Sequence, residues 1–169
     1  MATLIRHGRS ANDTWHWPED DAAPLPADGD VIVSVARWQA QRAALAARAG
    51  RVGLVFHGGD DPAKVAEDLK LFGVVAVQFP QFTDGRGYSI ARLLRERYGF
   101  RGEIRAVGDV LLDQMQMMER CGFDAFEIKD PTVQRLLAER GAPAYARFYQ
   151  PGAGAEAQTG PRPWARRRA

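Results

Sequence analysis

The chain has 169 residues, 46% of them hydrophobic and 26% charged, with a formal net charge of +2. That balance suits one soluble domain with a core of its own, and gives no basis for nucleic-acid binding, which needs a concentrated basic face. Cys121 is the single cysteine, which excludes an internal disulfide, a Cys-x-x-Cys redox pair and a cysteine-ligated iron–sulfur cluster.

In chain order, "TLIRHGR" reads as a short strand into a turn at Gly8. Residues 13–30 are acidic, rich in Pro, Asp and Ala, and without a period; they predict an irregular arm anchored by Trp15 and Trp17. "VIVSV" is a β-branched strand, and "ARWQAQRAALAARAG" a helix closing on Gly50. "VGLVF" is the next strand. "DDPAKVAEDLKLFG" predicts a helix capped by Asp61, with Pro62 at its first position and Gly73 at its end. The alternation then repeats: strand "VVAVQF", helix "GYSIARLLRERYG", strand "EIRAVG", helix "VLLDQMQMMERCG", strand "AFEIK" and helix "DPTVQRLLAERG". Short, continuously apolar strands between helices predict an α/β fold with a mostly parallel sheet and right-handed crossovers. A complete eight-unit barrel needs about 250 residues, so an open sheet or an arc resembling part of a barrel is expected. The expected organisation is one α/β domain over 1–150 and a flexible basic tail over 151–169, which carries Arg162, Arg166, Arg167 and Arg168. No apolar run is long enough to span a bilayer, and "MATLIRHGRSAND" lacks the apolar core of a signal peptide. The expected compartment is the cytoplasm.

Ligands of parallel α/β sheets sit at the carboxyl ends of the strands. The strand-end residues are therefore the candidates: His57 to Asp60, the turn from Pro80 to Gly87, Gly108 with Asp109, and Lys129 with Asp130. The turn "TDGRGYS" opens a helix. Gly85 and Gly87 would let backbone approach a ligand or adopt positive φ, and the free N–H groups near Tyr88 and Ser89 suit an oxyanion. Arg86 adds a fork of donors, Arg92 could reach back toward the helix start, and Arg95 is expected at the surface. The expected anion site is Thr83, Gly85, Arg86, Gly87, Tyr88, Ser89, Arg92 and Gln114, with Asp84 and Asp109 as candidate acid or base. An alternative for Asp84 is to cap the helix or pair with Arg86. Asp109 is read as a helix N-cap, on one face with Asp113.

"GRGYSIA" lacks the third glycine of a dinucleotide fingerprint, and no phosphate-binding loop ending Gly-Lys-Ser/Thr exists. No cofactor is expected. His7, His16 and His57 are scattered, so no metal is expected either; His57 alone falls at a strand end and is the histidine to test for catalysis. Met115, Met117 and Met118 would pack the core or a subunit contact, which leaves a homo-oligomer open. Cys121, late in its helix, is not expected to be a nucleophile. Tyr145, Phe148 and Tyr149 would form a lid or an interface.

The stretches "FTDGRGYS", "RGEIRAVGDVLLDQ" and "CGFDAFEI" carry a resemblance. From "LIRHGR" to "ARFYQ" the chain resembles a bacterial family of unknown function whose members are described as oxidoreductases involved in sulfite reduction. Their genes commonly lie beside those of assimilatory sulfite reductase. The resemblance implies a place in sulfur assimilation and cysteine biosynthesis. Sulfite reduction moves six electrons and is carried by cofactors, for which this sequence shows no motif. The expectation is therefore an accessory protein that binds the reductase or holds sulfite or sulfate. Alternatives are an enzyme on a barrel-like scaffold, with an Asp base and an Arg86 clamp, or a non-catalytic interaction module.

Overall fold

The computed structural model describes residues 2–142; the expected basic tail and the Tyr145–Tyr149 aromatic cluster lie outside them. The described residues form one open, seven-stranded, mostly parallel α/β sheet that does not close into a barrel. Its strands are β1 (Thr3–Arg6), β2 (Arg9–Ala11), β3 (Val31–Ser34), β4 (Val52–Phe56), β5 (Phe72–Phe79), β6 (Glu103–Gly108) and β7 (Ala125–Ile128). Their order across the sheet is β2-β1-β7-β6-β5-β4-β3. From β3 to β7 each strand pairs parallel with its successor. The β1–β2 hairpin adds antiparallel to β7. Its two-residue turn places His7 (φ 49°) and Gly8 (φ 73°) at positive φ, the backbone twist that joins tightly paired strands.

Between the strands lie α1 (Val35–Ala46), a 3₁₀ segment (Pro62–Leu71), α2 (Arg86–Arg92) continued by a π turn (Leu93–Arg97), α3 (Met115–Cys121) and α4 (Pro131–Arg140). Local chemistry starts and stops them. Ser34 accepts from the Arg37 N–H at 2.9 Å to cap α1, and Asp130 accepts from Thr132 N–H at 2.7 Å before Pro131. Gly122, at φ 107°, ends α3 in the left-handed conformation. Some expected ends differ. Helix α1 stops at Ala46, before Gly50, and Gly73 lies inside β5 rather than at a helix end. The segment after Asp61 is a 3₁₀ coil because Pro62, Val65 and Asp68, spaced by three, turn one face to the core.

Strand order explains the layering. Successive parallel strands laid down in one direction, with crossovers of one hand, put every helix of the described residues on one face. The main core accordingly joins Val33, Leu54, Val75, Val77, Ile104 and Phe126 of the sheet to Trp38, Leu69, Leu94, Met118 and Leu137 of the helical segments. Each fully buried apolar side chain there contributes about 1.5–3 kcal/mol. The opposite face carries a smaller cluster of Ile32, Val74, Ala76 and Val107, packed against Trp15, Trp17 and Val55. A parallel sheet needs both faces covered, and here the first part of the arm, through Trp15 and Trp17, supplies the second cover, while Leu25 further on packs on the main core. The Ile32 N–H donates to the His16 carbonyl at 3.0 Å. The Arg51 guanidinium lies 5.0 Å over the Trp15 ring. Arg37, buried, donates to the Asp20 and Ala23 carbonyls, while Arg48 holds Pro26 and Gly29.

Candidate functional site

A cavity of about 700 Å³ opens on the face that carries no helix of the described residues, the helix-free face below. Its floor comes from the carboxyl-terminal parts of the parallel strands: Ser34 of β3, Val55 of β4 and His57 just beyond, Gln78 of β5, Val107 and Gly108 of β6, and Glu127 of β7 with Lys129 just beyond. Its roof is the arm, through Asp13 and the run from Trp17 to Asp21. Open α/β sheets bind ligands at this end of their strands.

Most of the carboxylates lining the cavity are already engaged. Glu127 faces Lys129 Nζ at 3.5 Å. Asp21 accepts from the Ser34 hydroxyl at 2.8 Å. Asp20 accepts from the N–H groups of Ala22 and Ala23 at 2.8 and 2.6 Å. Asp13 accepts from Arg105 Nη1 at 2.7 Å and from the Trp15 N–H at 3.2 Å. Glu19 stands exposed on the rim. Of the nitrogen groups, the Lys129 ammonium is largely exposed, and His57 lies with Nδ1 3.4 Å from Asp60. Asp60 also accepts from the His57 backbone N–H at 2.8 Å, which holds the loop that carries the ring.

Directly behind the cavity wall lies a buried charge network. Arg105, in the middle of β6, is 0% exposed. Period two along a strand puts it on the same face as Val107, between Ala76 of β5 and Ala125 of β7 in the register. These small neighbours leave room for its long side chain. Its Nε donates to Glu103 at 2.9 Å, and Arg6 Nε donates to the other oxygen of Glu103 at 2.7 Å. Arg105 Nη2 and Trp17 Nε1 are buried without an acceptor among the described residues.

The loop singled out in sequence lies at the same edge of the sheet but is largely self-satisfied. Asp84 and Arg86 form a two-pronged pair, Nε to Oδ1 at 2.9 Å and Nη2 to Oδ2 at 2.7 Å. That guanidinium pulls the Asp84 carboxyl down to about 2, which makes it a weak base at neutral pH. The sign follows from linkage: with its folded pKa depressed, the pair stabilises the fold above the ordinary carboxylate range, and that stability is lost as pH falls toward 2. Arg86→Ala is expected to return Asp84 to the ordinary range, measured by a carboxyl-detected NMR titration.

Gly85 and Gly87 do not take positive φ. Gly87 is instead pressed on Phe79, where an added Cβ would sit 2.6 Å from the ring, whereas one at Gly85 would meet nothing. Gly87→Ala is therefore expected to destabilise the protein by about 1–3 kcal/mol through overpacking, and Gly85→Ala to do far less; chemical denaturation of both variants tests this. Thr83 and Ser89 are exposed. Tyr88 packs edge-on to Phe79 at 5.5 Å, and burial raises its hydroxyl pKa.

Asp109 and Gln114 hold the loop rather than face the cavity. Asp109 accepts from the Phe82 N–H at 2.9 Å, and Gln114 Nε2 donates to the Phe82 carbonyl at 2.9 Å. Asp109 and Asp113 precede α3, which begins at Met115, so Asp109 is not its N-cap and the two do not share a helical face. Arg92 pairs with Glu96 one turn onward at 2.9 Å instead of reaching back. Arg95, expected at the surface, is part-buried: it donates to the carbonyls of Phe100, Gly102 and Gly122 and pairs with Asp124.

Sequence reasoning named His57, Gly108 and Lys129 as strand-end residues, but missed Gln78, Asp13 and Arg105. The signal for Arg105 was available: a charge flanked by Ile104 and Ala106 in the middle of a parallel strand demands buried partners. Among the described residues no cluster of His, Cys, Asp and Glu could hold a metal ion, and no helix is long and apolar enough to cross a membrane.

No curated protein and no solved structure matches this chain. A family model described as bacterial protein of unknown function (DUF934) matches residues 53–159, a span that contains the ends of β4, β5, β6 and β7 at the cavity but not that of β3, and the chain belongs to that family.

Proposed function

We propose that the protein is an accessory of assimilatory sulfite reduction that holds a small oxyanion, sulfite or sulfate, in the strand-end cavity and serves the reductase as a partner. The observation that carries the binding site is the cavity itself, where Lys129, His57 and the Gln78 amide stand at the carboxyl ends of parallel strands. The link to sulfur comes from the family resemblance of "FTDGRGYS" and "CGFDAFEI". With one cysteine and no dinucleotide fingerprint in the sequence, electron transfer is assigned to the reductase. The alternative seat, in place of the cavity, is the Thr83–Ser89 loop, where Arg86 would have to exchange Asp84 for the ion.

A second reading, an enzyme, is favoured by one feature: His57 lines the cavity with a carboxylate, Asp60, 3.4 Å from its Nδ1, so that its Nε2 could serve as a general base.

Two experiments test the proposal. A strain lacking the gene should fail to grow on sulfate or sulfite and grow normally on cysteine; growth on sulfite at the wild-type rate, with no paralogue present, would contradict it. Calorimetry with sulfite should show binding that Lys129→Ala weakens and Arg86→Ala leaves unchanged. The reverse pattern would move the site to the loop.

A further inference from the structure

We propose that Arg105 is the anion-recognising group of this site and that Asp13 is its built-in, displaceable stand-in for the ligand. This rests on the reading of the cavity as an oxyanion site and names the residues that read the ion. Arg105 is wholly buried, yet one of its three guanidinium nitrogens, Nη2, has no acceptor among the described residues. An unused buried donor on a guanidinium is costly, and a two-pronged oxyanion is the chemistry that satisfies it. The neighbouring Nη1 is held by Asp13 at 2.7 Å. Asp13 belongs to the arm, lines the cavity and is 30% exposed at its side chain, so it can leave toward solvent. Val107, one pleat or about 7 Å further along β6 on the same face, forms the cavity floor. A sulfate-sized ion reaching down past Val107 would take the Asp13 position on Nη1 and engage Nη2 as well.

The surrounding charges fit an exchange of one anion for another. Glu103 stays on Arg105 Nε and is itself shared with Arg6. Lys129 sits above, against Glu127. Replacing Asp13 with the ion leaves the number of anions on Arg105 unchanged. The displaced Asp13 also gives up the Trp15 N–H, so binding loosens the start of the arm. The acidic rim then has a role: with Asp13 seated, the site is closed to weak or singly coordinating anions and opens only to one that outcompetes a carboxylate.

The test is sulfate titration by calorimetry on the full chain. Asp13→Asn removes the competing charge and keeps an oxygen, and should bind sulfate about ten- to a hundredfold more tightly than wild type. Arg105→Lys keeps the charge but not the fork, and should lose most of the affinity. Should Asp13→Asn fold poorly, hydrogen exchange on the wild-type protein decides: sulfate should speed exchange of the Trp15 amide. Equal sulfate affinity in wild type and a folded Asp13→Asn, or a Trp15 amide indifferent to bound sulfate, would overturn the exchange. If Lys129→Ala still weakened binding in that case, the cavity reading would stand alone. Absence of sulfate and sulfite binding in every form would overturn both.

Discussion

Replacing Trp38 by alanine is expected to cost about 3–5 kcal/mol and to lower the melting temperature by on the order of 10 °C. Trp38 is 1% exposed on the helix-covered face, edge-on to Phe72 with ring centroids 4.7 Å apart. Its indole N–H donates to Asp68 at 2.9 Å, and Asp68 is also gripped by Arg42 through Nε at 2.7 Å and Nη2 at 2.6 Å. The alanine variant therefore opens a large cavity and removes a donor from a nearly buried carboxylate. Trp38→Phe separates the two effects: most of the packing returns, and the remaining loss of about 1–2 kcal/mol is the hydrogen bond. Arg42, then Trp38, hold the Asp68 carboxyl below its ordinary pKa. Its contribution is thus complete above the ordinary carboxylate range and fades as pH falls beneath it. Denaturant melts at neutral and acid pH should show the difference between wild type and Trp38→Phe shrinking in acid. A difference that grows on acidification would contradict the assignment.

Asp13→Ala is expected to be the most damaging change in the arm, at about 3 kcal/mol. The residue looks expendable, since it lies in an acidic stretch without strand or helix. Yet it answers a guanidinium that is 0% exposed, and removing one partner of a buried pair leaves the other charge uncompensated, at about 3–5 kcal/mol. The lower figure applies because Glu103 remains on Arg105. Asp28→Ala, in the same arm and exposed, is the control and should change stability by no more than about 0.5 kcal/mol. Thermal melts of the two variants check this. Equal effects would mean that the arm is held by its tryptophans and backbone alone.

The parallel sheet was legible because the sequence marks its units locally. Asp61-Pro62 and Asp130-Pro131 open segments, and Gly99, Gly122 and Gly141 follow helices at positive φ. What was not legible is long-range. The order of strands, and with it the one-sided placement of helices, depends on which neighbours pair. No local signal says that Trp15 and Trp17 will lie on the bare face of a sheet. The 92-residue separation of Asp13 from Arg105 hides their pairing. In the loop at 83–89 the sequence signal was ambiguous for a physical reason. A glycine pair beside Arg and Asp suits an anion cradle, a close helix–strand contact and a closed ion pair alike. The structure puts Gly87 on Phe79 and Arg86 on Asp84, while the strand ends named beside it, His57 and Lys129, line the cavity.

The most direct test of the cavity as the oxyanion site is the anomalous signal of selenate in crystals of the protein. The account predicts a selenium peak on the helix-free face, between Lys129 and the Arg105 guanidinium, with Asp13 displaced. A peak at the Gly85–Ser89 turn, or none at a concentration that saturates binding in solution, would contradict it.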